Sequence, residues 1–163
     1  MGSSACSDTS PILHLHELSN SDLLGIFNKV YISDIVKSEL LGHKVNPGRK
    51  IMIKNANKDQ TALLSKKYGL DLGEASILAL CKALQVSIML TDDLDAREAA
   101  KQLDIQPAGT VGIILRCYRE KKINFNRAKK LLLELSSKSS LFITSGLIAY
   151  AINELEIYRK ARK

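Results

Sequence analysis

The residues of this chain best suited to chemistry are carboxylates. Asp92, Asp93 and Asp95 crowd the stretch SIMLTDDLDARE, residues 87–98, where an apolar run stops abruptly. Asp8 follows a very short segment near the start, Glu39 lies in SDIVKSELLG, and Glu74 opens the run GEASILALCKAL. Carboxylates a few ångströms apart repel one another and cannot all stay ionised cheaply without a cation. A site made only of oxygen favours Mg²⁺ or Mn²⁺ over zinc, and Mg²⁺ keeps several waters while using few protein carboxylates. Such a site here would take Asp8, Glu74 and Asp92 as ligands to one or two ions, with Glu39 and Asp93 helping to position water or metal. The plainer alternative is that Asp8, Asp34 and Asp92 cap helices while Glu39 and Glu74 are solvated. Among the three late acids Asp92 is the first choice for metal, Asp93 the second, and Asp95 reads as an exposed residue of the following helix.

The elements that would carry these acids alternate between strand and helix. A first strand must end just before Asp8, with Pro11 suited to the first turn of the helix that follows. That helix is expected over Ile12 to Leu24 with a break near Ser19–Asp22. Residues 29–32, KVYI, are short and β-branched and read as strand two. Ser33 or Asp34 then caps a helix that stops at Gly42. Residues 50–54 suit an edge strand, and Asp59–Tyr68 a helix ended by Gly69. The almost uniformly apolar ASILALCKAL must be a helix packed on most sides. Val86–Leu90 is a continuous apolar strand of the kind covered on both faces. A helix from LDAREAAKQL, a short strand over Ile105–Ala108, and helices over 111–122, 126–136 and 144–159 complete the chain. Strands alternating with helices imply an α/β fold, a parallel sheet between two layers of helices. Sites in such folds lie off the carboxyl ends of the strands. Asp8, Asp92 and Asp93 share that edge.

With 163 residues, 45% of them hydrophobic, the chain is expected to form a single domain. No charged-then-apolar leader opens it and no apolar run approaches the ~18 residues of a spanning helix, so a soluble, cytoplasmic protein with no membrane partner is expected. Cys6, Cys81 and Cys117 are odd in number and widely spaced, which suits small buried side chains better than a disulfide or zinc framework. His14 and His16, at i and i+2 of a helix, do not share a face and make a poor zinc pair. There is no Trp and there are few other aromatics, which argues against a base-stacking platform. The net charge is +7, and the positive residues concentrate late in the chain. Phosphate is the natural partner for such a surface, although solvated helix faces produce similar runs.

The strings DTSPILHL, YISDIVKSEL, LDLGEASILALCKAL, IMLTDDLDAREAAKQL and GTVGIILRCYREKKI, in this order, resemble the PIN-domain superfamily, and most closely its VapC-related branch. The resemblance covers roughly residues 5–135. It implies a three-layer αβα domain with a central parallel sheet of about four or five strands, and a metal-dependent ribonuclease acting on single strands. Carried over position by position, Asp8 matches the first acid, Glu39 the second, Glu74 the third, and Asp92 with Asp93 the fourth, while Ser10 and Thr91 occupy polar positions beside them. Many relatives read G-E-A-E where this chain has Gly73-Glu74-Ala75-Ser76. The implied substrate is RNA, held along its backbone by Ser10, Thr91, Arg97, Arg116, Arg119, Lys121 and Lys122. Arg97 can equally pair with one of the acids. An acidic antitoxin partner and a homodimer are further expectations from the resemblance.

Two other functions fit parts of the pattern. A PIN-like module with little activity could bind RNA or a protein. Asp93-Leu94-Asp95 is similar to the D-x-D of phosphoryl-transfer enzymes, but those acids usually follow the first strand and here they come late.

Overall fold

The computed structural model of the protein describes residues 2–163. Its contacts divide the chain into two compact units. One comprises the chain up to Leu13 together with Phe27–Gly109, the other His14–Ile26 together with Thr110–Lys163.

In the first unit, strands β1 (Ala5–Ser7), β2 (Val30–Ser33), β3 (Ile51–Lys54), β4 (Ile88–Leu90) and β5 (Gln106–Ala108) form one sheet in the order β3-β2-β1-β4-β5. Every pairing is parallel, so each return to the sheet needs a crossover. The crossovers contain α2 (Asp34–Gly42), α3 (Lys58–Tyr68), α4 (Leu72–Leu84) and α5 (Leu94–Gln102), while α1 (Thr9–Glu17) leaves the end of β1. This five-stranded parallel sheet flanked by helices is the expected three-layer α/β arrangement. β1 and β4, wholly buried, are its central pair. The chain winds outward from β1 through β2 to β3, then returns to β4 on the other side of β1. The order therefore reverses between β1 and β4, the point at whose carboxyl ends sites form in such folds.

α4 is the element around which this unit packs. Gly73 and Ala75–Cys81 are all buried, and the helix lies against β1, β2, β4, α2, α3 and α5. A helix covered on so many sides can carry apolar residues at nearly every position. Its C-terminal turn explains one departure from the sequence reading: β4 begins at Ile88, not Val86. Gln85 caps α4 in the left-handed region and Val86 donates its N–H to Cys81 O, which spends on the helix the backbone that would extend the strand.

The second unit contains a 3₁₀ helix (Ser21–Ile26), α6 (Thr110–Arg119), α7 (Phe125–Lys138) and α8 (Ser145–Ala161), with the second half of α1. The break expected near residues 19–22 is present, with Ser19 at φ 56° ahead of the 3₁₀ helix. Arg127 of α7 fixes that helix by donating to Asp22 Oδ2 at 2.9 Å and Asn20 Oδ1 at 2.6 Å. α6 ends three residues earlier than expected because Lys121 turns the chain at φ 59°. Cys6, Cys81 and Cys117 are buried thiols. Among the described residues no helix is long and apolar enough to cross a membrane.

Leu78 is fully buried in the middle of α4. Leu78→Ala leaves a cavity at the centre of the first unit and is expected to destabilise the protein by about 2–5 kcal/mol, read as a lower urea midpoint.

Candidate functional site

The acids lie around the carboxyl ends of β1 and β4. Asp8, the residue after β1, is tied to the neighbouring strand by its N–H, which donates to Leu90 O at 2.8 Å. Its side chain is only 5% exposed. Thr91, the residue after β4, donates its hydroxyl to Asp8 Oδ2 at 3.4 Å and accepts the Asp93 N–H at 3.2 Å. Asp93 in turn caps α5, its carboxylate accepting from Ala96 N at 2.8 Å. Thr91 is thus a buried brace inside the cluster and offers no surface to RNA, contrary to the sequence expectation.

α1, α2 and α4 bring the remaining acids. Thr9 donates its hydroxyl to Glu39 Oε2, linking the start of α1 to α2. Glu39 fits there because Gly73 has no side chain. A Cβ at Gly73 would overlap Glu39 Oε1 and stand 3.0 Å from Oε2. At the N-terminus of α4, Asp71 and Glu74 form a reciprocal capping box: Glu74 N donates to Asp71 Oδ1 at 2.7 Å and Asp71 N to Glu74 Oε2 at 3.2 Å. Asp71 is an acid of this site that the sequence reading passed over. Its D-x-x-E spacing with Glu74 is the capping signature that would have placed it beside Glu74. Ser76 is fully buried, with its hydroxyl 2.7 Å from that of Ser33 and donating to Gly73 O at 2.6 Å. Ser33 is the N-cap of α2, so this pair clamps α2 to α4.

These carboxylates act on one another. Asp8 is pushed up to about 7, chiefly because burial penalises its charge, with Asp71 and Glu39 adding repulsion against the N–H of Thr9 and the hydroxyl of Thr91. Glu74 is also raised to about 7, first by burial and then by Asp71, Asp93 and Asp8. The charged groups that bear most on either are all carboxylates. A set of oxygen donors in mutual repulsion fits a hard divalent cation. It is not a ready-made cage, since among the described residues no three His, Cys, Asp or Glu side chains converge as a chelating group. The expected trio of Asp8, Glu74 and Asp92 is therefore not assembled. Glu74 is engaged in its cap, and Asp92 lies beside Gly109, where a Cβ would meet Asp92 Oδ1 at 2.7 Å and Arg97 Nη1 at 2.8 Å. Arg97 Nη1 and Asp92 Oδ1 thus both lie beside Gly109, and Asp93 is the late acid that bears on Glu74. Asp95 is exposed, as expected.

The other residues expected to meet RNA fall into two groups. Ser10 is half-buried in the first turn of α1. In the second unit, Arg116 Nε pairs with Glu120 Oε1 at 2.7 Å, and Arg119 Nη1 donates to the Tyr158 hydroxyl at 3.0 Å. Lys121 and Lys122 are exposed at the turn after α6.

Because Asp8 and Glu74 hold protons more firmly in the folded state than in the unfolded one, the folded state binds more protons between the ordinary carboxylate range and pH 7. Their contribution to stability is greatest below their unfolded pKa values and is lost as pH rises through about 7. In metal-free buffer the Tm of Asp8→Asn should accordingly fall less than that of the wild type between about pH 5 and pH 8. Parallel Tm profiles would show that Asp8 is not strained.

A family described as PIN domain matches residues 4–156. The match runs beyond the motifs of residues 5–135 and takes in most of α8. No curated protein and no solved structure matches the chain. With nearly its whole length matched, and with a parallel sheet that gathers acids at its switch point, the chain belongs to the PIN-domain family and has a nuclease-type fold.

Proposed function

We propose that the protein is a metal-dependent endoribonuclease that hydrolyses phosphodiester bonds of RNA. The observation that carries this reading is the pair of carboxyls, Asp8 and Glu74, each raised to about 7 by burial and by neighbouring carboxylates at the sheet's switch point. Asp8 and Glu74 would hold Mg²⁺ or Mn²⁺, largely through waters, with Asp93, Asp92, Glu39 and Asp71 completing the negative field. A cation bound there supplies Lewis acidity toward a phosphate ester and its attacking water. The protein's own groups fix the cluster: Thr91 holds Asp8 and the start of α5 together, Thr9 holds Glu39, and the capping box sets the spacing of Asp71 and Glu74. The choice of RNA, the VapC-related branch, and with it an acidic antitoxin and a homodimer, rest on the resemblance of the motifs.

One observation favours a second reading, a PIN-like module with little activity. The carboxylates do not form a finished chelating group, and Glu74 and Asp93 are engaged in helix caps. Metal distinguishes the two, because a cation that binds only the folded state raises Tm as its concentration rises. A real site gives a Tm that climbs with millimolar Mg²⁺ or Mn²⁺ in the wild type and not in Asp8→Asn; a flat titration favours the module.

For the nuclease, Asp8→Asn should abolish Mn²⁺-dependent cleavage of single-stranded RNA, a loss of about 10²-fold or more, while the circular dichroism spectrum stays that of the wild type. Cleavage that survives both Asp8→Asn and EDTA would exclude this mechanism.

A further inference from the structure

The turn between α6 and α7 and the end of α8 line an open, solvent-facing hollow, a cavity of about 490 Å³ within the second unit. Its floor is aromatic: Tyr118 and Phe125 meet edge to face, centroids 6.1 Å apart and planes at 72°. Over each ring lies a guanidinium, Arg159 at 4.5 Å from the centre of Phe125 and Arg162 at 4.6 Å from that of Tyr118. Arg162 is also held by the backbone, donating Nη2 to Tyr118 O at 2.9 Å and Arg119 O at 2.6 Å. Lys121, Lys122, Ile123 and Asn124 complete the lining, which contains no carboxylate. Glu156 is the nearby acid, 4.0 Å from Arg159, too long for a strong pair. The left-handed conformation of Lys121 makes the turn tight enough to place both lysines on the cavity.

Fixed guanidiniums and free ammonium groups suit different parts of one ligand. A guanidinium stacked on an aromatic ring presents its other face as a flat cationic surface, on which unstacked bases of single strands lie. Ammonium groups on flexible stems meet a phosphate as point charges. An acidic peptide would satisfy the lysines but makes no use of the planes.

We propose that this cavity seats one nucleotide of a single-stranded RNA, its phosphate against Lys121 and Lys122 and its base against the guanidinium plane of Arg159. This rests on the reading of RNA as substrate and does not depend on whether the acids cleave it. It adds Arg159 and Arg162, near the end of α8, to the residues proposed to meet RNA.

Fluorescence anisotropy with a labelled short oligouridylate, in EDTA so that no cleavage intervenes, tests the site. Lys121→Ala with Lys122→Ala should weaken binding on the order of tenfold at 0.1 M salt and make the salt slope shallower by about 1.4, the value for two lost contacts to a single strand. Lys66→Ala with Lys67→Ala removes the same charge from exposed positions on α3 and should leave both quantities near wild type. Arg159→Lys keeps the charge and loses the plane. It should cost the oligouridylate about tenfold and an abasic strand of equal length almost nothing. The proposal is overturned if the two lysine pairs behave alike, if Arg159→Lys weakens both strands equally, if polyglutamate displaces the RNA at equal charge, or if the wild type binds no RNA. Binding lost in the cavity variants while wild type shows no cleavage would support the site and reject the nuclease. Cleavage by wild type with unchanged binding in the variants would do the reverse.

Discussion

Asp8 must be a carboxylate at the end of a strand that is buried on both sides, and the rest of the first unit accommodates that constraint. Burial alone moves it far toward the neutral form, and Asp71 and Glu39 push in the same direction. What opposes them is local: the N–H of Thr9 and the hydroxyl of Thr91. Neither is a charge. A pair of neutral donors can lower the cost of a buried anion without cancelling it, which leaves the site with an unsatisfied demand for positive charge. A side chain such as Lys would meet that demand permanently and close the site. On the metal-dependent reading proposed above, a cluster that leaves it unmet is open to a cation from solution.

The same atoms serve folding and chemistry in α4. A helix covered on nearly all sides cannot drift, and its first turn is fixed by the capping box. Because Asp71 and Glu74 satisfy each other's backbone N–H groups, their carboxylates are held where they also repel Asp8. Removing either would fray the helix by about 0.5–2 kcal/mol and relieve the repulsion at once, so stability and electrostatics change with opposite signs at one position. Gly73 belongs to the same arrangement. It sits in that first turn because the Glu39 carboxylate occupies the space where a Cβ would be.

Much of this fold was legible because its signals are local. Alternation of short apolar runs with helical patterns gave all five strands, and turn residues such as Gly69 and Ser33 gave helix ends. What the pattern could not give was the aim of individual side chains. Asp92 and Asp93 are adjacent and chemically identical, yet one stands with Arg97 against Gly109 and the other caps α5 and bears on Glu74. That division depends on a contact between residues seventeen positions apart, Asp92 and Gly109, which no periodicity reports. Asp71 was missed although its signal is local: its D-x-x-E spacing with Glu74 is a capping signature, and the cap sets its carboxylate beside the other acids. Thr91 followed from its neighbours in sequence, but its burial followed from β4 and β5, which meet it through the bond from Thr91 N to Ala108 O at 2.9 Å.

Ser76 shows how this chain sets the strength of its own field. Its position is wholly buried, and its hydroxyl already has two partners, Ser33 Oγ and Gly73 O. A carboxylate in its place would add another buried negative charge within a turn of Glu74 and would break the clamp between α2 and α4, since an ionised carboxylate cannot donate to Gly73 O. With serine there, the clamp stays neutral and the repulsion remains among Asp8, Glu74 and the acids beside them. The clamp thus joins the two helices without adding a charge to the one that the half-buried Glu39 carboxylate already brings against Gly73.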